Sequence, residues 1–257
     1  MQYRAVVGLS LCLLALSGLL PIHGAAPVKV ASVAPIEDLV AAATAKSNQL
    51  SEYLKSEESY NEAKKELIPQ AAGVLACIAQ AIAEHDKHGD ANVVGAELRD
   101  AALATKHSKS LEDARKDLKK IEAALQGESS GEAEMDYKWS DLVNIHQTMK
   151  EVNALFATLP RPIGDLRRGR KLKSEEFQKV RLHASTLVVL SLVIQTHGGQ
   201  VEKKGDVAKW QGLSTELQES LAALGAAIRK KDGKQSYAFL RRTREACKSC
   251  HDQFRKE

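Results

Sequence analysis

The stretch VAKWQGLSTELQESLAALGAAIRK, residues 207–230, indicates the fold class of this protein. Its large apolar side chains recur every three or four residues, and they are Val207, Trp210, Leu213, Leu217, Leu221, Leu224 and Ile228. A repeat of this period places one apolar stripe along one side of an α-helix. The stretch therefore predicts a long amphipathic helix that packs its stripe into a helical core.

The same period recurs on both sides of this helix. Before it, a stripe predicts a helix that is ended by Pro160 and Pro162, and a basic loop, RPIGDLRRGRK, is expected over residues 161–171. A further helix is expected from Ser174 to Gly198, and its segment 187–194 is apolar nearly all round, which predicts deep burial. A last helix is expected after the turn KKDGK. The stripe before the prolines consists of Leu142, Ile145, Met149, Val152, Phe156 and Leu159.

The N-terminal half repeats this plan in a weaker form. Its helices are expected at about 36–56, 59–86, 92–106 and 109–126. The segment AELRDAALA at 96–104 resembles TELQESLAA at 215–223. Ala- and Leu-rich helices can resemble one another by chance, but we interpret the likeness as a degenerate internal duplication.

The composition and the linker between the halves complete the fold prediction. Aromatic residues make up only 4% of the 257 residues, which argues against a β-sandwich. The polar, glycine-containing segment GESSGEAEMD, residues 127–136, separates the two halves. We therefore expect an all-α protein of two tandem antiparallel four-helix bundles, which span residues 27–130 and 135–257.

The first 26 residues have the composition of an export signal. Arg4 gives a positive start, an apolar run covers residues 6–20, and Gly24, Ala25 and Ala26 offer cleavage sites. The run is shorter than the ~20 residues that a membrane-spanning helix needs, although an uncleaved anchor is the alternative. We expect a signal peptide over residues 1–26 and a periplasmic mature protein.

The C-terminus carries the pattern that indicates the chemistry. The segment ACKSCHDQFRKE, residues 246–257, places Cys247 and Cys250 three residues apart with His251 next to them. Cys-x-x-Cys-His is the attachment signature of haem c. Two thiols on one helical turn can bond to the two vinyl groups of a porphyrin edge, and the imidazole can then reach the iron. Leu240 and Phe254 fall on the same helical face as Cys247 and His251.

Two alternatives compete with haem for the cysteine pair. A redox Cys-x-x-Cys of the thioredoxin type belongs to a βαβ context, which the helical pattern does not offer. A zinc site needs two further ligands at matched spacing, and the sequence has no second cysteine pair. Removal of the signal leaves Cys77, Cys247 and Cys250, an odd number that argues against a disulfide framework. We therefore expect one covalent haem c.

The segment CKSCHDQFRKE at the end of a four-helix bundle resembles the class II cytochromes c, the cytochrome c′ and c-556 family. The resemblance covers residues 135–257, and only its C-terminal motif is specific. In that family an aromatic residue and an arginine closely follow the motif, and Phe254 and Arg255 match them. The resemblance implies a left-handed bundle with the haem among its helices. The N-terminal half has Ala124, Gly127 and Glu128 at the motif positions, so it is expected to hold no haem.

The resemblance also implies a distal residue on the first helix of the haem-binding bundle. The segment IHQTM, residues 145–149, resembles the Arg-Gln-x-x-Met stretch of some family members, and Met149 lies on the apolar stripe. A ligating methionine gives a six-coordinate electron carrier, whereas a bulky apolar residue leaves the iron five-coordinate and able to bind NO or CO. Met149 is the candidate sixth ligand, with simple packing as the alternative, and His146 is a second candidate.

The distribution of charge limits the function classes that the sequence allows. The formal net charge is +4, and the N-terminal half is net acidic while the C-terminal half is net basic. Such polarity favours recognition of a partner, although an ordinary solvated surface would also carry it.

The sequence shows no catalytic constellation, so we expect no enzyme. We expect one-electron transfer with a periplasmic redox partner. The alternatives are a haem protein that binds NO or CO and a haem-bearing interaction module. A homodimer is a further option, and nucleic acid is not expected as a partner.

Overall fold

A computed structural model describes residues 29–30, 34–131, 133, 137–201 and 204–255 of the chain. All regular structure within these residues is helical, and none of them lies in a strand, which confirms the all-α class. The export signal expected over residues 1–26 and the bundle start expected at Met135 lie outside the described residues.

The N-terminal half has five α-helices among its described residues. They are α1 (Ile36–Tyr53), α2 (Glu57–Ala63), α3 (Leu67–Ala83), α4 (Gly95–His107) and α5 (Leu111–Leu125). The helix expected at 59–86 is in fact two, because α2 and α3 meet at an angle of 77°. Pro69 lies in the first turn of α3 and has no N–H group that could continue the hydrogen bonding of α2.

The C-terminal half has six α-helices among its described residues. They are α6 (Trp139–Leu142), α7 (Ile145–Ala157), α8 (Pro160–Arg167), α9 (Ser174–Thr196), α10 (Lys204–Arg229) and α11 (Gly233–Phe254). The stripe that starts at Leu142 is interrupted at Val143, and α7 begins anew after Asn144. The Asn144 side chain caps α7 by accepting a hydrogen bond of 2.8 Å from the Gln147 N–H.

The segment expected as a basic loop begins as a helix instead. Pro160 is the first residue of α8, where a proline is favoured because its fixed φ suits the helix and its missing N–H would have no helical partner. The proline that ends one helix therefore also starts the next. This short helix lies on α11 and keeps the chain close to the cysteine motif.

Helix α9 forms the centre of the C-terminal half. All its residues from Ala184 to Gln195 are buried, which confirms the expected burial of 187–194. By length and composition Ser174–Gly199 could cross a membrane, but 67% of its apolar window is buried inside the protein. Helix α3 has the same role in the N-terminal half, where residues 71–82 are all buried.

Each half has the same succession of helix contacts. Helix α1 packs on α3, α3 on α4 and α4 on α5, whereas α7 packs on α9, α9 on α10 and α10 on α11. The two halves also contact each other, because both α1 and α3 pack on α9. The arrangement as tandem four-helix bundles, with the boundaries 27–130 and 135–257, stays a prediction.

A buried carboxylate joins the two halves. Asp38 on α1 is only 2% exposed. Its side chain forms an ion pair with Arg181, lies 3.6 Å from the Arg229 guanidinium, and accepts a hydrogen bond of 3.3 Å from the Ser185 hydroxyl. All three partners belong to the C-terminal half, so the charge of Asp38 is compensated only while the halves are in contact.

Candidate functional site

Helix α11 carries the cysteine motif on a regular helical turn. Its start is fixed by Asp232, whose side chain accepts a hydrogen bond of 3.0 Å from the Gln235 N–H. The helix then runs without a break to Phe254 and packs on α8 and α10. Cys247 and His251, one turn apart, therefore project to the same side of α11, and Cys250 lies beside them.

A cavity of about 510 Å³ opens between α7, α9, α10 and α11. Cys247, Cys250 and His251 form its wall on α11, and Met149 belongs to its wall on α7. The volume lies within the range of roughly 300–1,000 Å³ that is usual for cofactor sites. The rest of the wall is mostly apolar: Val152, Phe156, Ala157, Pro160, Ile194, Leu213 and Leu217, with the polar residues Asn153, Ser214, Arg244, Lys248 and Asp252.

A second cavity of about 430 Å³ adjoins the first. It shares Met149, Asn153, Cys250 and His251 with the first cavity. Its remaining wall consists of Ile145, His146, Lys150, Trp210, Phe254 and Arg255. The residues expected from the sequence, Cys247, Cys250, His251, Met149, His146, Phe254 and Arg255, thus all line one or both of these cavities. Their bonds to haem and iron stay predictions.

Aromatic packing fixes the end of α11 beside the second cavity. The rings of Phe254 and Trp210 meet edge to face, with 5.2 Å between their centroids and 69° between their planes. The Trp210 ring N–H donates a hydrogen bond of 2.9 Å to the carbonyl of Ile194 at the end of α9. The turn that carries His251 is therefore held against both α9 and α10.

The cysteine thiols are shielded from water. Burial raises the pKa of Cys247 to about 11, and the neighbouring Cys250 adds to this shift. Burial also raises the pKa of Cys250. A redox Cys-x-x-Cys works through a thiol of lowered pKa, as at a helix N-terminus or beside a cation. Both thiols here are protonated at neutral pH, which argues against the thioredoxin-type alternative.

The groups around the cavity fit a covalently bound haem. One wall offers two thiols for the vinyl groups and an imidazole for the iron, and the facing helix offers the thioether of Met149. The apolar lining suits the porphyrin plane. Arg244 and Lys248 also line the cavity, and their cationic groups suit the two propionates.

Several lining residues were not identified from the sequence, among them Arg244 and Asn153. Arg244 precedes Cys247 by three residues and His251 by seven, so a helical projection of the last helix would have placed it on the motif face. Asn153 follows Met149 by four residues and could have been found in the same way. The contribution of α9 through Ile194 has no such signal, because it depends on how the helices pack.

Comparison with protein families supports the assignment of this half. Residues 205–255 match the family model described as Cytochrome C′. The match covers nearly all of α10 and α11, including the whole cysteine motif. It confirms the resemblance of the C-terminal part of the chain to the class II cytochromes c, a family that implies haem binding. Comparisons with curated proteins and with solved structures gave no match.

Proposed function

We propose that this chain is an exported c-type cytochrome that holds one haem covalently and transfers single electrons in the periplasm, without enzymatic turnover. The observation that carries the proposal is the shared cavity of Cys247, Cys250 and His251, with Met149 on the facing helix. The family match over residues 205–255 supports haem as the occupant.

The residues of the cavity have separate tasks in this proposal. Cys247 and Cys250 would hold the haem, each by addition of its S–H across one vinyl group, with the sulfur on one carbon and the proton on the other, so attachment would need no oxidant. His251 would bind the iron from the same wall. The bound haem supplies a one-electron iron couple. Apolar residues such as Leu213 and Leu217 limit the access of water.

The charge distribution supports an acidic redox partner. The C-terminal half is net basic, and exposed cations lie on α11 beside the cavity. Lys248 lines the cavity with a side chain that is 75% exposed, and the Arg244 side chain lines it nearby. A partner with a negative patch would be attracted to this face and would approach the haem edge.

Counting free thiols tests the covalent attachment. After removal of the signal, denatured holoprotein should contain one free thiol, that of Cys77, because thioether bonds consume Cys247 and Cys250. Protein made without haem should contain all three. The holoprotein should also gain the mass of one haem, measured by intact mass spectrometry.

Two variants control the thiol count. Cys77→Ala should keep its haem stain after denaturation, because Cys77 is a fully buried residue of the N-terminal half. The double change Cys247→Ala with Cys250→Ala should lose the stain completely. Full haem stain in this double variant would refute covalent attachment.

A five-coordinate haem protein that binds NO or CO is the second candidate. The observation that favours it is the adjoining cavity of about 430 Å³, whose wall includes Met149 and Asn153. This space could admit a diatomic ligand on the Met149 side of the haem. The two candidates differ in one bond, the bond from the Met149 sulfur to the iron.

The change Met149→Leu distinguishes the two candidates. It preserves volume and apolarity, so the free energy of unfolding should fall by less than about 1.5 kcal/mol. If the sulfur ligates the iron, the reduced wild type should be low-spin and bind CO slowly. The variant should then be high-spin, bind CO readily and have a lower reduction potential. Optical spectra, CO binding and redox titration measure these changes.

Phe156→Leu is the matched control for this change, because Phe156 lines the same cavity but offers no sulfur. It should leave the spin state unchanged. A wild type that is already high-spin, together with a Met149→Leu variant of identical spectrum, would favour the gas-binding candidate over the electron carrier.

A further inference from the structure

Glu151 faces away from the haem cavity on the helix that carries Met149. The two residues are two positions apart, which corresponds to about 200° around an α-helix. Met149 lines both cavities, whereas the Glu151 side chain is only 6% exposed and is buried against the N-terminal half. Helix α7 therefore lies between the cavity on one side and the haemless half on the other.

Two helices of the N-terminal half hold the Glu151 carboxylate. Lys46 on α1 donates to Glu151 Oε1 through Nζ at 2.5 Å, and Gln70 on α3 donates to Glu151 Oε2 through Nε2 at 2.8 Å. The Lys46 side chain is 12% exposed, so water screens the pair only weakly. Both oxygens are thus fixed, each by a different helix, which restrains α7 in position and rotation.

The start of α7 is held by the same half of the molecule. Lys106 on α4 donates through Nζ to the carbonyl of Leu142, at the end of α6, at 2.9 Å. Gly73 on α3 lets Val143 approach closely, because a Cβ at Gly73 would lie 3.0 Å from Val143 Cγ2. The haemless half therefore contacts this segment both where α7 begins and in its middle.

We propose that the N-terminal half acts as a brace for the distal side of the haem, with Glu151 as its positioning residue. By holding α7 from behind, the contacts of Glu151 fix the distance between Met149 and the iron-binding side of His251. This inference rests on the proposed haem in the cavity. It gives the haemless half a role in setting haem coordination and access to the distal side.

The holoprotein variants Glu151→Gln and Lys46→Met test the brace. Each removes the buried ion pair and lies outside the cavity walls. We expect a smaller low-spin fraction in the reduced protein and a CO association rate that is higher by about threefold or more, as for other couplings through packed elements. Optical spectra and flash photolysis of the CO complex measure the two quantities.

Glu66→Gln is the matched control, because Glu66 belongs to the N-terminal half and is not among the residues that line either cavity. Glu66 also forms an ion pair with α7, through Lys150, but that pair is exposed, with 55% and 42% of the two side chains in solvent. The Glu66→Gln change should leave the spin state and the CO rate unchanged. The reversed pair, Lys46→Glu with Glu151→Lys, should return the CO rate towards that of the wild type.

The brace is refuted if folded, haem-loaded Glu151→Gln has the wild-type spectrum and CO rate, or if Glu66→Gln changes them as much. A wild-type protein that takes up no haem would instead refute the proposed function. If Glu151→Gln does not accumulate as folded protein, Lys46→Met and the reversed pair provide the same test. The CO rate reports the position of α7 whether or not Met149 ligates the iron.

Discussion

The last helix of the N-terminal half and the last helix of the C-terminal half start in the same way and end differently. Helix α5 is capped by Ser110 and α11 by Asp232, and each side chain accepts a hydrogen bond from the N–H three residues later, at 3.1 and 3.0 Å. Helix α5 ends at Leu125, whereas α11 continues through the cysteine motif to Phe254. The difference lies where the motif would fall in α5.

Gly127 marks the end of α5. Its φ is +80°, its N–H donates to the carbonyl of Ala124, and the Glu128 N–H donates to the carbonyl of Ala123 at 3.0 Å. These two bonds with a left-handed glycine form the Schellman motif, a common helix C-terminus. The positions matching the second cysteine and the histidine are therefore outside the helix. At the motif positions, the N-terminal half therefore lacks the helical turn as well as the two thiols.

The helices that face α5 and α11 also differ. Helix α1 packs directly on α5, whereas a cavity lies between α7 and α11. Helix α5 buries Leu118 and Ile121 near its end, while the part of α11 that follows Leu240 buries only the smaller side chains of Thr243, Ala246 and Cys250. Similar successions of helix contacts thus give a filled core at α5 and a cavity at α11, where the buried side chains near the motif are smaller.

Separating the halves should have the largest effect on stability. A fragment of residues 135–257 should be helical and should hold haem if it forms a bundle of its own. It should nevertheless unfold at a lower denaturant concentration than the full chain, because α9 loses its contacts with α1 and α3. Circular dichroism and haem absorbance in guanidinium chloride measure the difference. An unfolded fragment would show one cooperative core and a wrong division at residue 135.

A single change in the full chain is the control for this fragment. Asp38→Ala leaves Arg181 and Arg229 without their buried partner. It should therefore lower the free energy of unfolding of the full chain by about 3–5 kcal/mol. Glu52→Ala breaks an exposed ion pair with Lys55 and should cost no more than about 1 kcal/mol.

Core truncation in each half should reveal the difference between a filled and an open bundle. In haem-free protein, Ile121→Ala should lower the free energy of unfolding by about 2–5 kcal/mol, because Ile121 is fully buried in a closed core. Leu217→Ala should cost less, about 2 kcal/mol or below, because Leu217 lines the open cavity and lacks packing partners on that side. Urea unfolding measures both losses. Equal losses would mean that the cavity closes in the absence of haem.

A histidine at the junction of the halves should give a smaller, pH-dependent effect. Burial, and then the nearby Lys179 and Lys46, lower the pKa of His183 to about 4. The unfolded chain binds a proton at a pKa of about 6.5, so stability should be complete above pH 6.5 and should fall as the pH drops towards 4. With allowance for screening by solvent, the loss should be about 1–2 kcal/mol.

His183→Gln checks this expectation, because it keeps a polar group near the Thr158 hydroxyl, which lies 2.6 Å from His183 Nδ1, but does not titrate. The variant should flatten the dependence of the unfolding free energy on pH between 4 and 6.5. An unchanged slope would assign the pH dependence to other groups.

The sequence was sufficient for the all-α class, for the long helices α9, α10 and α11 and for the face of the motif, because periodicity reports which side of a helix is buried. It did not reveal the break at Val143, since Leu142 and Ile145 keep helical spacing across it. It also did not reveal α8, because Pro160 can end a helix or begin one. The ion pairs of Asp38 and Glu151 could not be predicted from the sequence, because their partners are distant along the chain and no local pattern identifies them.

The way in which α5 ends has a consequence for the history of the chain. If the halves arose by duplication, Ala124→Cys, Gly127→Cys and Glu128→His would restore the sequence motif without restoring a haem site. Position 127 has a backbone conformation that L-residues avoid, and a Cβ there would collide with the Asn92 side chain. Reversal would require the helix end to be rebuilt before any cysteine was useful. If this half once bound haem, the loss would therefore be hard to reverse by substitution alone, because the backbone at residue 127 would have to change first.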